Sequence, residues 1–313
     1  MEKIKVIFMG TPEFSVPIVK EISKIVNLVL VVTSPDAYVG RKKVLTPCAV
    51  KQWALDNNID VFSPDKLRNN YEIIKTLNPD LIITCAYGQI VPEEVLNIPR
   101  LGCINIHASL LPKYRGASPI QSVILNGEKE TGITLMYMDK HLDTGDIICK
   151  SKISILDNDN YATLSDKLSN LGAKLIVETL PVIIAGKNDR IPQNNAEATY
   201  VGLIKREDEH INFNDTALNI YNKIRAFSPS PYANFILDDK EYKVVEAYPI
   251  EIDAKDADKA PGTIISETKN SIIIKALDEG IMIIKLKPVG KNVMNVSDFK
   301  NGYQKNLIGR VLE

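Results

Sequence analysis

No stretch of the 313-residue chain approaches the ~18 consecutive apolar residues of a membrane span, so the sequence offers no transmembrane helix. Cysteine is scarce as well. Cys48, Cys85, Cys103 and Cys149 lie far apart with no C-x-x-C pair, which predicts small buried thiols rather than a disulfide framework or a zinc site. With only three histidines, a zinc or iron centre would need mostly carboxylates, and no metal is expected. The G-x-G-x-x-G fingerprint is missing too: the first turn, Gly10-Thr-Pro-Glu-Phe-Ser-Val-Pro, has one glycine where dinucleotide binding wants three. That argues against a nicotinamide or flavin enzyme. Neither sign of charge dominates, since 38 basic and 39 acidic residues leave a net charge of −1. Bulk attraction to nucleic acid is therefore absent, although a local basic patch remains compatible. The opening residues have a basic residue and a short apolar run, as a leader would, but the run is strand-length and ends in Gly-Thr-Pro-Glu without a small-residue cleavage site. A first β-strand and a cytoplasmic location are the expectation.

What is present reads as a folded chain of two domains, at roughly 150 residues each. Apolar runs suited to buried parallel strands recur at Ile4–Met9, Leu28–Thr33, Leu81–Cys85 and Cys103–Ile106, with helical patterns between most of them. This alternation predicts a doubly wound α/β sheet. Thr11 and Pro12 sit where an N-cap and first helical residue would be. Gly40-Arg-Lys-Lys-Val-Leu-Thr-Pro predicts a basic surface loop. Thr131–Met138 and Asp146–Ile155 are β-rich and flank an acidic turn, and a helix over 162–185 should follow, with Gly186 as its stop. The boundaries expected are 1–189 for the first domain, a polar linker over 190–206, and 207–313 for the second. The second begins with one helical segment, Thr216–Phe227. Five short strands follow, near 233–237, 242–248, 262–266, 271–276 and 281–286, which suggests a small β-barrel.

Asn105 and His107 stand at i and i+2 near the carboxyl end of an apolar strand, a spacing that points both side chains to one face. The bland alternative is a satisfied polar cluster that caps the strand. Asp143, in Leu142-Asp-Thr-Gly, adds a carboxylate on a turn, where Asp often bonds its own backbone. Together the three form a set suited to acyl transfer: an amide that holds a carbonyl oxygen, an imidazole that donates to it when charged, and a carboxylate that orients the imidazole. Cys103 precedes Asn105 by two residues but lies deeper in the strand, a poor position for a nucleophile.

The run Asn105-Ile-His107-Ala-Ser-Leu-Leu-Pro-Lys-Tyr-Arg-Gly, with Leu142-Asp143-Thr-Gly, resembles the folate-dependent formyltransferase family. Phe8-Met-Gly-Thr-Pro-Glu-Phe, Gly116-Ala-Ser-Pro-Ile-Gln, Arg225-Ala-Phe-Ser-Pro and Leu286-Lys-Pro-Val-Gly-Lys resemble its tRNA-acting branch, so the likeness spans nearly the whole chain. The resemblance implies a Rossmann-like formyltransferase domain followed by an OB-like barrel that binds tRNA. It implies 10-formyltetrahydrofolate as donor and the methionine amine of initiator methionyl-tRNA as acceptor, for translation initiation. By position, Asn105, His107 and Asp143 would be catalytic. Ser109, Leu110, Leu111 and Pro112 would line the tetrahydrofolate site, with Tyr87, Gly88, Gln89 and Ile90 along the pterin pocket. Arg41, Lys42 and Lys43 would meet the acceptor stem, and Lys285, Lys287 and Lys291 could form a basic face on the slightly acidic second domain. A monomer is expected. Two rivals remain open: a formyltransferase acting on a small amine, such as a sugar nucleotide or glycinamide ribonucleotide, and a catalytically silent RNA-binding protein on the same scaffold.

Overall fold

The computed structural model describes residues 3–40, 42–302 and 306–313. The chain divides into two units, one of residues 1–119, 130–154 and 165–201, the other of residues 120–129, 155–164 and 202–313.

The first unit is built on a seven-stranded sheet. Its strands are β1 (Lys5–Gly10), β2 (Asn27–Val32), β5 (Val61–Phe62), β6 (Leu81–Cys85), β7 (Cys103–His107), β9 (Glu130–Tyr137) and β10 (Ile147–Ser154), in the order β10-β9-β7-β6-β1-β2-β5. From β7 to β5 all pairs are parallel, whereas β9 runs antiparallel to both β7 and β10. The parallel strands read as unbroken apolar runs because helices cover both faces of such a sheet. Val6, Ile7, Phe8 and Met9 are all fully buried. Between the strands run α1 (Val16–Ile25), α2 (Ala49–Asp56), α3 (Glu72–Leu77) and α4 (Glu93–Leu96). Of the two later helices, α5 (Pro119–Leu125) falls in the second unit after Pro119, and α6 (Tyr161–Ile184) belongs to the first from Ser165 onward. Gly172 of α6 lies so close to Ile18 of α1 and Ile106 of β7 that a Cβ there would be 3.2–3.3 Å from each.

Strand order reverses between β1 and β6, and ligands of open α/β sheets bind outside the carboxyl ends at such a point. The Thr11 hydroxyl serves this edge rather than capping a helix. It donates to the Tyr87 carbonyl at 2.8 Å and lies 3.1 Å from Ser34 Oγ, and α1 begins only at Val16 with Pro17 in its first turn. The N-cap expected at Thr11 is therefore corrected: its hydroxyl ties the loops after β1, β2 and β6 together.

The expected basic loop is also corrected. Two three-residue strands, β3 (Ala37–Val39) and β4 (Val44–Thr46), pair as an antiparallel hairpin that turns at Lys42 and Lys43. Tyr38, Val39, Val44 and Leu45 expose their apolar side chains, Tyr38 to 72%. Arg41 lies outside the described residues.

Residues 190–201 belong to the first unit. Within them β11 (Tyr200–Val201) pairs in parallel with β8 (Arg115–Gly116), and Ile191 exchanges two backbone hydrogen bonds with Ile147.

The second unit is a curled antiparallel sheet with a helix against it. Its strands are β12 (Asn234–Leu237), β13 (Lys240–Ile250), β14 (Ile264–Glu267), β15 (Ile272–Lys275) and β16 (Gly280–Pro288), in the order β12-β13-β16-β15-β14, with β17 (Met294–Asn295) on β16. β12 to β16 are the five strands that the sequence predicts, and β17 is a sixth. The helix α7 (Ala217–Ala226) starts at Thr216, whose hydroxyl accepts the Asn219 N–H at 3.2 Å, and α8 (Val296–Gly302) follows β17. Residues 309–313 reach both sheet edges. Ile264 of β14 and Arg310 bond through the backbone, Leu312 bonds Gly262, and Glu313 exchanges two bonds with Ile236 of β12. Arg310 also pairs with Asp238. The sheet's two edges are thus stitched by one short segment.

Candidate functional site

Asn105 and His107 leave β7 on the same face, and one carboxylate meets both. Asp143, from the β9–β10 turn, places Oδ1 3.4 Å from Asn105 Nδ2 and Oδ2 3.7 Å from His107 Nδ1. The His107 and Asp143 side chains are nearly buried. Gly116 donates its N–H to Asp143 Oδ2 at 2.8 Å, which fixes the carboxylate. Its backbone has φ 117°, and a Cβ would run into the Val201 carbonyl, so only glycine fits. Asp143 itself is left-handed, with φ 54°.

The other polar atoms of the pair are committed. Thr84, across from Asn105 in the β6–β7 register, donates its hydroxyl to Asn105 Oδ1 at 2.9 Å, which turns the amide nitrogen toward Asp143. His107 Nε2 is 2.9 Å from the Tyr114 carbonyl. A carbonyl only accepts, so Nε2 carries a proton and Nδ1 is the ring atom left for chemistry.

The loop after β7 is held from within. Ser109 is fully buried, donating Oγ–H to the Lys113 carbonyl at 2.7 Å, while Thr134 Oγ donates to the Ser109 carbonyl and receives the Leu111 N–H. Leu111 is buried with Met136 and Ile147, whereas Leu110 and Pro112 are half-buried. The Lys150 ammonium caps the Leu111 carbonyl, and burial lowers its pKa from the ordinary lysine value. Along the loop after β6, Tyr87 is buried, and its hydroxyl has no hydrogen-bond partner among the described residues. Gln89 spends its amide on the Leu67 N–H and the Pro64 carbonyl, and Ile90 is 89% exposed.

Burial raises the Cys85 and Cys103 thiols to about 12, and Cys103 contacts the carbonyls of Val95 and Leu96. Neither is poised as a nucleophile. Among the described residues no group of three or more His, Cys, Asp or Glu could hold a metal ion, and no helix is long and apolar enough to cross a membrane.

On the second unit, Lys285 and Lys287 share one face of β16, and Lys291 is exposed in the turn beyond. Lys285 Nζ is 2.7 Å from Glu246 Oε2 on β13, and that bond holds the Glu246 carboxyl below its usual range. Lys287 stands opposite Lys243. The face therefore carries less free charge than three lysines suggest.

Thr84, Tyr114 and Gly116 are parts of the site that the sequence reading did not single out. Thr84 could have been found from strand pairing alone, being the strand residue across from Asn105. Tyr114 and Gly116 act through backbone atoms, for which residue type gives little signal.

A doubly wound sheet with an amide, an imidazole and a carboxylate converging at the end of β7 defines an α/β group-transfer enzyme. Residues 2–180 match the family described as formyl transferase, and residues 203–304 match the formyl transferase C-terminal domain. The chain belongs to the formyl transferase family. It is 47% identical over 311 residues to a methionyl-tRNA formyltransferase of Staphylococcus epidermidis, covering 98% of this chain and 99% of that one. Among solved structures, WlaRD, a sugar 3N-formyl transferase in the presence of dTDP and 5-N-formyl-THF, covers 93% of this chain and 100% of its own at TM-score 0.68 and 24% identity. The methionyl-tRNA formyltransferase from Clostridium thermocellum covers 92% and 100% at TM-score 0.55 and 18% identity. At these identities the two structures show that this chain shares their fold.

Proposed function

We propose that the chain transfers a formyl group from 10-formyltetrahydrofolate to the methionine α-amino group of initiator methionyl-tRNA, as a cytoplasmic monomer, for translation initiation. The observation that carries this reading is the single Asp143 carboxylate that reaches both Asn105 and His107. The name of the 47%-identical relative supports the acceptor, and the 5-N-formyl-THF present with the sugar formyltransferase supports a reduced folate as donor.

The residues fit a formyl carbonyl. Asn105 Nδ2 has a second hydrogen free of Asp143, and among the described residues no acceptor lies within hydrogen-bond distance of His107 Nδ1. The neutral amine attacks the formyl carbon, and the oxygen of the tetrahedral intermediate takes hydrogen bonds from Asn105 and from the charged ring of His107. Asp143 attracts that charged ring across 3.7 Å. Collapse breaks the bond to the folate nitrogen, which takes up the proton that the attacking amine gives up. Each preorganised donor contributes about 10²–10³ in rate, or about 3–4 kcal/mol. No covalent enzyme intermediate and no metal are required.

We assign the folate to the loops Tyr87, Gly88, Gln89, Ile90 and Ser109, Leu110, Leu111, Pro112. Ile90, Leu110 and Pro112 offer surface, whereas the Tyr87 hydroxyl is buried and, among the described residues, has no hydrogen-bond partner. Ser109 and Leu111, being buried, act by shaping their loop. For tRNA we assign Lys42 and Lys43 of the β3–β4 turn and, from the sequence alone, Arg41, with Lys285, Lys287 and Lys291. The test is transfer of labelled formyl from 10-formyltetrahydrofolate to charged initiator tRNA, beside an aminosugar nucleotide and glycinamide ribonucleotide. Transfer to a small amine only, or to nothing, would overturn the reading.

A further inference from the structure

Arg115 is fully buried, and among the described residues no carboxylate lies within ion-pair distance of it. A buried charge without a counter-ion needs neutral acceptors for its protons. Here they come from residues 193–200. Nε and Nη2 donate to Gln193 Oε1 at 3.1 and 2.8 Å, Nη2 also to Asn195 Oδ1 at 2.9 Å, and Nη1 to the Tyr200 hydroxyl at 2.9 Å. Gln193 spends its other end on the Asp143 turn: Nε2 donates to the carbonyls of Asp143 and Gly145, at 2.9 and 2.8 Å.

All four hydrogen-bonding positions of the Gln193 amide are thus occupied, and in one sense only. The guanidinium can only donate and the two carbonyls can only accept. A flipped amide would set NH₂ against the guanidinium and oxygen against both carbonyls. The guanidinium therefore locks the amide, and the amide locks the turn. The same segment anchors the loop under His107, since Tyr114 N–H donates to Thr199 Oγ1 and Arg115 N–H to the Thr199 carbonyl, both at 2.8 Å. Gly116, whose N–H holds Asp143 Oδ2, pairs with Val201.

We infer that Gln193 is a positioning residue: with Arg115 as its lock, it holds the left-handed turn that aims the Asp143 carboxylate at Asn105 and His107. This rests on the reading of those three as the formyl-transfer centre. Misplacement of a reacting group by about 1 Å costs about 10² in rate, so loss of the brace acts on turnover more than on binding.

Two variants test it. Gln193→Glu keeps acceptors for Arg115 but faces two carbonyls without a donor, so the fold is expected to survive while the turn shifts. Gln193→Met is neutral and of similar length but braces nothing. Expected in both is a fall in kcat of about 10- to 100-fold, with KM for donor and tRNA within about threefold and a cooperative melt retained. The second readout needs no turnover. The chain has only His107, His141 and His210, so ring NMR signals are assignable; His107 and His141, the latter on the braced turn itself, are expected to shift in both variants while His210 does not. Wild-type kcat in either folded variant would overturn the proposal. So would an unmoved His107 signal in Gln193→Met, since a shift confined to Gln193→Glu reports only the added charge. If Gln193→Met does not fold, kcat and the His107 signal of Gln193→Glu decide together. An inactive wild type whose His107 signal still moves in both variants would overturn the functional reading and leave the brace standing.

Discussion

His107 Nε2 donates to the carbonyl oxygen of Tyr114 at 2.9 Å, so the ring is pinned by the loop that follows its own strand. Nδ1, the one ring nitrogen outside that bond, therefore faces Asp143. Asn105→Ala and His107→Ala are each expected to lower kcat at least about 100-fold while folate binding changes far less. Steady-state kinetics beside equilibrium folate titration checks this, and equal losses in both would point to a structural role.

Asp143→Asn should be comparably damaging although it is nearly isosteric. One oxygen can still accept the Gly116 N–H, but then the new NH₂ meets Asn105 Nδ2, donor against donor. A turnover within threefold of wild type would remove the carboxylate's charge from the mechanism.

Thr84→Val removes the hydroxyl that orients the Asn105 amide and leaves the shape unchanged. A loss of about 1 kcal/mol in stability is expected from the hydrogen bond, together with a kcat loss of about tenfold. Thr84→Ser should restore both. Rescue of stability without rescue of kcat would mean that the hydroxyl serves packing alone.

On the barrel, Lys287→Ala is expected to flatten the log–log salt dependence of tRNA binding by about one unit or somewhat less. Lys285→Ala should do less, because Glu246 already neutralises that lysine, and Glu246→Gln should strengthen binding. An unaltered slope in the variant lacking Lys285, Lys287 and Lys291 would place the tRNA elsewhere.

Thiols raised to about 12 by burial are almost wholly protonated at pH 8, with a thiolate fraction of about 10⁻⁴. Cys85 and Cys103 should therefore resist iodoacetamide in the native protein and react once it is denatured. Mass spectrometry of the labelled peptides checks this, and rapid native labelling of Cys103 would show that β7 opens.

Where the physics is local, the sequence speaks clearly. The buried strands β1, β2, β6 and β7 announce themselves as unbroken apolar runs, and the five barrel strands by their alternation and turns. The convergence of Asn105 and His107 follows from a two-residue period. The hairpin at 37–46 has apolar ends, Tyr38-Val39 and Val44-Leu45, too short to register as strands, and Gly40, the cations and Pro47 read as a loop. Residues 190–201 were not legible at all as part of the first unit's framework. Gln193 and Asn195 are polar residues in a polar run, and what makes them structural is a buried arginine some 80 positions earlier. Hydrogen bonds of that range leave no periodic trace.

The seam formed by residues 309–313 orders events in time. During synthesis β12 and β14 precede the segment that joins them, so the β14 edge, and the part of β12 beyond the Asn234 pairing with His210 and Ile211, lack that partner until residues 309–313 are made. Deleting only residues 309–313 would turn that transient exposure into a permanent one, with aggregation as its visible sign. Five residues at the end of the sheet thus cover strand edges on two different strands.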